Sequence, residues 1–270
     1  MQNIYINSKK SLILIDGSYY IFNRYFATYK WFNYQNKEID LSDLSKNPEF
    51  ITAFIKHLES DFIKIQKKLK TDMNSIILCM DCSRCDIWRN NIYSKYKQSR
   101  PSKINFNSDI FKIFNEHIKK MKVLQIFSDN LEADDIIYLI QKKVKEINSK
   151  QQITIITNDN DYLQLIDRNT KIINMQFKDI SLRGTLNPKI DLLVKIIFGD
   201  KSDNIPKILN GITKEKAIKI AMMTEEERNN YLIENNLKKN YDLNKILISF
   251  ENIPDELIIN FNSFYNISIL

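Results

Sequence analysis

Residues 11–17 read Ser-Leu-Ile-Leu-Ile-Asp-Gly. An uncharged apolar run closed by an acid and a glycine is the pattern of a buried strand stopped by a turn. Residues 75–81 (SIILCMD) and 152–159 (QITIITND) repeat it, so the three runs end at Asp16, Asp81 and Asp159. Between them the apolar residues fall at helical spacing. Phe54, Ile55, Leu58, Phe62 and Ile65 share a face within 48–70, and Phe111, Phe114, Ile118 and Met121 share one within 108–122. A third helix is predicted over 131–147, with Asp, Ser and Asn available as caps before it. Strands alternating with helices predict an α/β fold with a mainly parallel sheet flanked by helices. The carboxyl ends of such strands lie on one edge, where open α/β sheets bind ligands, and the three aspartates should converge there.

A length of 270 residues, 43% of them apolar, suits one large domain or a domain with a smaller appendage. From about Pro188 the sequence turns helical and polar. A soft division near 183–187 separates region 1–185 from a helical region 186–270. The start, MQNIYINSKK, has no signal-peptide pattern, and no stretch approaches 18 uninterrupted apolar residues. The chain therefore reads as cytoplasmic, with no membrane span. Cys79, Cys82 and Cys85 have the spacing of a metal or cluster site but lack a fourth ligand, and read as idle thiols in a reducing compartment.

Beyond the three strand-end aspartates, acids occur as Glu132, Asp134 and Asp135 at a helix start, Asp159 with Asp161 in a turn, and Asp200 with Asp203 after a glycine. Taken singly, an aspartate after a strand is an ordinary turn former and an acidic first turn offsets the helix dipole. Taken together, carboxylates packed on one edge repel one another and must hold protons or share cations. Oxygen ligands without His or Cys select Mg²⁺, with Mn²⁺ as a substitute, over zinc. Helical spacing puts 132 and 135 on one face and 134 elsewhere, unless Glu132 still lies in the cap. The formal charge is +7, and gathering nine acids in one cluster leaves a still more basic remainder, which suits a polyanion brought to bound cations.

Residues 88–103 interleave cations with rings: Trp88, Arg89, Tyr93, Lys95, Tyr96, Lys97, Arg100 and Lys103. Such a segment is either a solvated helix face or a surface that meets phosphates and stacks on unpaired bases.

Five stretches, LILIDGSYYIFNR (12–24), CMDCSRCDIWRNNIYSKYKQSRP (79–101), EADD (132–135), TNDND (157–161) and GDKSDNIP (199–206), stand in an order that resembles the 5′ nucleases. That family includes phage 5′→3′ exonucleases, flap endonucleases and the nuclease domain of bacterial DNA polymerase I. The resemblance covers roughly residues 12–220 and implies a PIN-like catalytic domain with a helical arch over about 84–127. By that resemblance Asp16, Asp81, Glu132, Asp134, Asp135, Asp159, Asp161, Asp200 and Asp203 match the acids that hold two Mg²⁺ ions. Lys97 and Arg100 match the basic residues of the arch, and Arg24 a residue near the scissile phosphate. Residues 199–220 resemble the helix–turn–helix (H3TH) element that grips duplex DNA, often around K⁺, with Gly211, Thr213, Lys214 and Lys216 at the turn. Thr213 stands where the family usually has a second glycine. Arg89, Tyr93, Tyr96 and Lys103 complete the expected DNA contacts.

The resemblance implies a monomeric, structure-specific hydrolase, both exonuclease and endonuclease, on DNA with 5′ single-stranded flaps or nicked or branched duplex. Its setting is DNA replication or repair, in a bacterial or phage-infected cytoplasm, with RNA–DNA hybrid primers a further substrate. No polymerase follows, which fits a free-standing nuclease as in phages. Two ions about 4 Å apart would clamp the attacking and leaving oxygens of an in-line displacement. A PIN-type ribonuclease is an alternative, but such enzymes lack the GDKSDNIP and helix–turn–helix stretches. A non-catalytic DNA-junction binder is another, and it leaves the complete acid set unexplained.

Overall fold

In the computed structural model, which describes residues 1–35, 44–100, 108–185 and 187–270, the opening run is strand Leu12–Asp16 (β2), preceded by Gln2–Ile6 (β1). β2 pairs in parallel with Ile76–Met80 (β3) on one side and Ile153–Ile156 (β5) on the other. Leu124–Phe127 (β4) and Thr170–Ile173 (β6) complete a five-stranded parallel sheet in the order β4-β3-β2-β5-β6. The chain leaves β2 for β3 and β4 and returns to its other flank for β5 and β6. The edge of β2 is thus the point where strand order reverses, the place such sheets keep for a ligand.

The central strands are apolar throughout because both faces are covered. Ile13, Ile15, Ile76 and Leu78 point into one core with Gly17–Gln35 (α1), Pro48–Leu69 (α2) and a helix at Ser108–Lys120. Leu12, Leu14, Ile77 and Ile155 point to the opposite core, built on a helix at Ala133–Ile147. The four-residue helix Arg89–Ile92 is α3, so these two are α4 and α5. α2 begins where Asn47 accepts from Phe50 N with Pro48 in the first turn, a strong start signal. Gly17 lets α1 start hard against β3: a Cβ there would lie 2.4 Å from Met80 Sδ and 2.6 Å from the Cys79 carbonyl.

Pro188–Phe198 (α6), Lys214–Ala221 (α7), Glu225–Glu234 (α8) and Lys238–Ile248 (α9) gather round a third core containing Ile197, Ile208, Ile212, Ala217 and Leu247. Residues 82–96 supply Cys82, Ile87 and Tyr96 to it. The expected helical region 186–270 ends sooner than its sequence suggests. Phe250, Ile253 and Phe261, the last on helix Asp255–Phe264 (α10), pack back on the α5 side of the sheet. Strand Tyr265–Ile269 (β7) then pairs in parallel with β1, so the two ends of the chain close on each other.

Of the stretch expected as a helical arch, about 84–127, residues 101–107 lie outside the described ones. The rest holds α3, a run of turns to Arg100, and α4, whose Ile110, Phe114 and Ile118 are buried in the sheet's core. The turns lie against the helical region: Lys97 N donates to the Asp203 carbonyl (2.9 Å). Lys103 lies outside the described residues.

Phe250, 2% exposed and within ring contact of Tyr138 and Tyr162, fastens the returning segment. Phe250→Ala is expected to cost about 3–5 kcal/mol in chemical denaturation.

Candidate active site

Each strand-end acid is held by donors from a helix start or a turn at the same edge of the sheet. Tyr19 N, in the first turn of α1, donates to Asp16 Oδ1 (2.9 Å), and Thr157 Oγ1 donates to Oδ2 (3.0 Å). Ala133 N, opening α5, donates to Asp81 Oδ1 (2.7 Å), while Ser18 Oγ donates to Oδ2. Two helix N-termini are therefore aimed at two carboxylates, where unpaired N–H groups favour negative charge. Asp159 Oδ1 accepts from Asp161 N (2.9 Å), which turns the chain after β5. With Glu132 and Asp134 these acids wall a cleft of about 770 Å³.

The electrostatics match the crowding. Burial, then the charges of Asp81 and Asp159, push the Asp16 carboxyl up to about 7. Burial, Asp135 and Glu132 push Asp134 well above the usual carboxylate range. The Tyr162 hydroxyl, buried in the same cleft, has no hydrogen-bond partner among the described residues. Repelling oxygens beside an orphaned hydroxyl fit a hydrated hard divalent cation.

A second group forms where Asp161, Asp200 and Asp203 bring ligand atoms within 4.8 Å of one another. Gly199 makes this possible. Its φ is +72°, and a Cβ would meet the Ile205 and Pro206 carbonyls at 2.5 Å. The loop then closes with Asp200 N donating to Ile205 O (2.9 Å) and Ile205 N to Asp200 O (2.8 Å). Lys195 Nζ binds Asp161 Oδ1 and lies 2.8 Å from Asp200 Oδ2. Burial opposes ionisation of Asp200, but Lys195 outweighs it and draws the carboxyl down to about 2. Asp203 accepts from Arg100 Nη2, with the Tyr96 hydroxyl oxygen 3.3 Å and Lys97 Nζ 3.6 Å away.

Several expected contacts are placed elsewhere. Arg89 is 1% exposed; it donates to both oxygens of Asp135 (2.8 and 2.7 Å), to Glu132 (2.9 Å) and to the Leu247 carbonyl (2.9 Å). It is an interior tie between α5 and α9, closed to DNA, because a buried guanidinium needs partners for its donors. Tyr96 is buried too, donating to Glu132 (2.9 Å). Asp135, expected among the metal-holding acids, brings a ligand atom within 4.8 Å of those of Glu132 and Asp134, and is fully buried with its oxygens accepting from Arg89 and from Trp88 Nε1 (3.0 Å). Glu132 is the N-cap of α5, the case in which 132 and 134 both reach the cleft. Arg24, expected near the scissile phosphate, instead pairs with buried Asp61 of α2 at 2.5 Å. Lys97 and Arg100 do reach the cleft. Tyr93 is half-buried against the helical core. Gly211 (φ +76°) and Thr213, which caps α7 by accepting from Lys216 N (3.3 Å), lie at the turn with Lys214 and Lys216 exposed. Cys79 and Cys82 are buried and Cys85 exposed, all three free.

Among the residues that escaped the sequence reading are four at the two acid groups. Ser18 holds Asp81, Tyr162 faces the acids, Lys195 bridges the second group, and Lys30 lines the cleft from α1. Lys30 could have been inferred, since it falls at i+7 from Asn23, another lining residue. The other three carry no pattern in a chain this rich in Lys and Tyr. Beside the cleft a second hollow of about 870 Å³ shares Ser18, Phe22, Asp81, Lys97, Arg100 and Glu132 and adds the rings of Phe111 and Phe127.

Residues 11–189 match the family described as 5′-3′ exonuclease, N-terminal resolvase-like domain. The chain belongs to this 5′-3′ exonuclease family, and so to a family of nucleases. It is 33% identical over 216 residues to a 5′-3′ exonuclease of Buchnera aphidicola from Schizaphis graminum, spanning 74% of this chain and 66% of that one. It is 27% identical over 238 residues to the ribonuclease H of Enterobacteria phage T4, spanning 79% and 77% of the two chains. Its fold matches that of the bacteriophage T5 flap endonuclease, solved as a pseudo-enzyme-product complex with DNA and metal ions. The TM-score is 0.62 at 15% identity, covering 94% of this chain and 97% of the other. Among the described residues no helix is long and apolar enough to cross a membrane.

Arg89→Met takes the guanidinium from Asp135, leaving it Trp88 as side-chain donor, and from Glu132, leaving it Lys97 and Tyr96, and should destabilise the fold by about 3–5 kcal/mol in chemical denaturation. Lys30→Ala, at an exposed side chain, should leave stability within about 0.5 kcal/mol.

Proposed function

We propose that the chain is a structure-specific 5′ nuclease, exonuclease and flap endonuclease, that hydrolyses DNA phosphodiesters with two Mg²⁺ ions, Mn²⁺ substituting. The observation that carries this reading is the convergence of Asp16, Asp81, Asp134 and Asp159 in one cleft with the buried Tyr162 hydroxyl, lined also by Lys97 and Arg100. Asp16, Asp81, Glu132, Asp134 and Asp159 would hold one ion, and Asp161, Asp200 and Asp203 the other. Bound there, the ions supply an activated water and stabilise charge on the departing oxygen.

The chain's own residues do the rest. Helix N-termini at Tyr19 and Ala133 orient Asp16 and Asp81, so their lone pairs face the cleft before substrate arrives. Lys97 is held by Glu132 and, through its backbone N–H, by the Asp203 carbonyl (2.9 Å), which fixes its ammonium at the cleft wall to meet a phosphate oxygen. The rings of Phe22, Phe111 and Phe127 offer stacking to unpaired bases of a 5′ strand entering the neighbouring hollow. Gly211, Thr213, Lys214 and Lys216, at the start of α7, would take the phosphates of the duplex.

Flap and primer removal in replication or repair, in the cytoplasm and as a monomer, is the setting that suits this activity. The DNA complex of the phage T5 relative supports DNA as substrate, and the name of the phage T4 relative supports RNA–DNA hybrid primers as a second.

Cleavage of a 5′-labelled flap and a nicked duplex, with Mg²⁺ and with EDTA, tests the reading. Cutting near the junction is expected only with metal, and should fall by about 100-fold or more in Asp159→Asn. Binding without cutting under any divalent metal would favour a non-catalytic junction binder. Lys195 must release Asp161 and Asp200 before a cation can take both. Lys195→Met should therefore tighten Ca²⁺ binding in calorimetry, and unchanged or weaker affinity would oppose that competition.

A further inference from the structure

The turn between α6 and α7 contains a cation of its own. Lys207 Nζ donates to the Ile212 carbonyl (3.0 Å) and stands 4.0 Å from the ring centroid of Phe198. Phe198 is the last residue of α6, and Ile212 directly precedes the Thr213 cap of α7. One ammonium thus spans the turn, tied at one end to a ring face and at the other to a carbonyl dipole.

The resemblance to the 5′ nucleases implies a K⁺ ion in this turn. A K⁺ site replaces the ion's water shell with several carbonyl oxygens. Here five of the turn's carbonyl oxygens accept from protein donors. Ile205 O accepts from Asp200 N (2.9 Å), Pro206 O from Asn244 Nδ2 (2.7 Å) and Ile208 O from Asn240 Nδ2 (3.1 Å). Leu209 O accepts from Ile212 N (3.2 Å), and Ile212 O from Lys207. A metal ion at Ile212 O would also sit at contact distance from an ammonium, where like charges repel strongly. The turn does not fit a K⁺ site.

We propose that the Lys207 ammonium takes the place of a monovalent metal ion in this helix–turn–helix. It braces the end of α6 against the start of α7 and fixes a positive charge beside Lys214 and Lys216, where the DNA backbone would lie. This rests on the proposed reading that the turn meets duplex DNA. Its consequence is that the protein grips DNA equally well whichever monovalent cation is present, apart from general screening.

The test is the Kd for a fluorescent nicked duplex in metal-free buffer with EDTA, at equal ionic strength of potassium or tetramethylammonium chloride, for wild type and Lys207→Met. Unfolding temperatures are recorded in both salts without DNA. Wild-type affinities should agree within about twofold, and Lys207→Met should bind about tenfold more weakly in tetramethylammonium, a charge-assisted bond having been lost. Wild-type binding that weakens severalfold without potassium would overturn the proposal, as would a Lys207→Met variant equal to wild type in affinity and unfolding temperature. No DNA binding by the wild type in either salt would instead sink the nuclease reading. The unfolding temperatures then decide this one: a potassium-dependent rise in the wild type overturns it, and equal values with a lowered Lys207→Met uphold it.

Discussion

Carboxylates fixed at the ends of neighbouring parallel strands repel one another, and the backbone leaves them little freedom to separate. Asp16 ends β2, Asp81 follows β3 and Asp159 follows β5, all on one edge. Most of the polar architecture answers that repulsion. The N-termini of α1 and α5 point donors at Asp16 and Asp81, and Thr157 and Ser18 add hydroxyls. What these donors leave uncompensated is visible in the Asp16 carboxyl, which burial and its neighbours hold near 7. The edge stores an affinity for cations in the fold itself.

The chain's basic residues are divided by that demand. Arg89 is spent inside, neutralising Asp135 and Glu132 and reaching the α9 backbone, so it welds the sheet domain to the helical region. Lys97 and Arg100 stand at the cleft wall and Lys195 at the second acid group, but they are paired with Glu132, Asp203, Asp161 and Asp200. Net charge therefore overstates the cations open to a polyanion at the acids, while Lys214 and Lys216 keep theirs exposed. The interleaving of cations and rings at 88–100 serves both ends: Arg89 and Tyr96 build the interior, and Lys97 and Arg100 face the cleft.

The sheet and its acidic edge were legible because a strand buried on both faces is written as a continuous apolar run, and its stop is local. Three of the five sheet strands announced themselves that way; β4 and β6, four residues each at the sheet's edges, did not. The pairing of β1 with β7 joins residues more than 250 positions apart, which no local period encodes. Side-chain direction was the other gap. Arg24 and Asn23 are adjacent in sequence, but one turns to Asp61 and the other to the cleft, a difference set by the α1–α2 contact. Asp134 and Asp135 part in the same way once Glu132 is the cap.

The two acid groups differ in what a divalent cation would encounter. At the strand ends burial and the charges of Asp81 and Asp159 raise Asp16, and burial, Asp135 and Glu132 raise Asp134; among the described residues Arg89 and Lys97 pair with Glu132 but with neither of these two, so binding at Asp16 and Asp134 relieves repulsion directly. At Asp161 and Asp200 an ammonium already occupies the gap, and it holds Asp200 ionised at about 2. A cation arriving there must displace Lys195, and its net gain is the difference between two favourable arrangements. On the proposed reading the strand-end group is therefore the tighter site and the Asp161–Asp200 group the weaker one. A phosphate drawing Lys195 away from the acids would narrow that gap, coupling the second ion to the arrival of substrate.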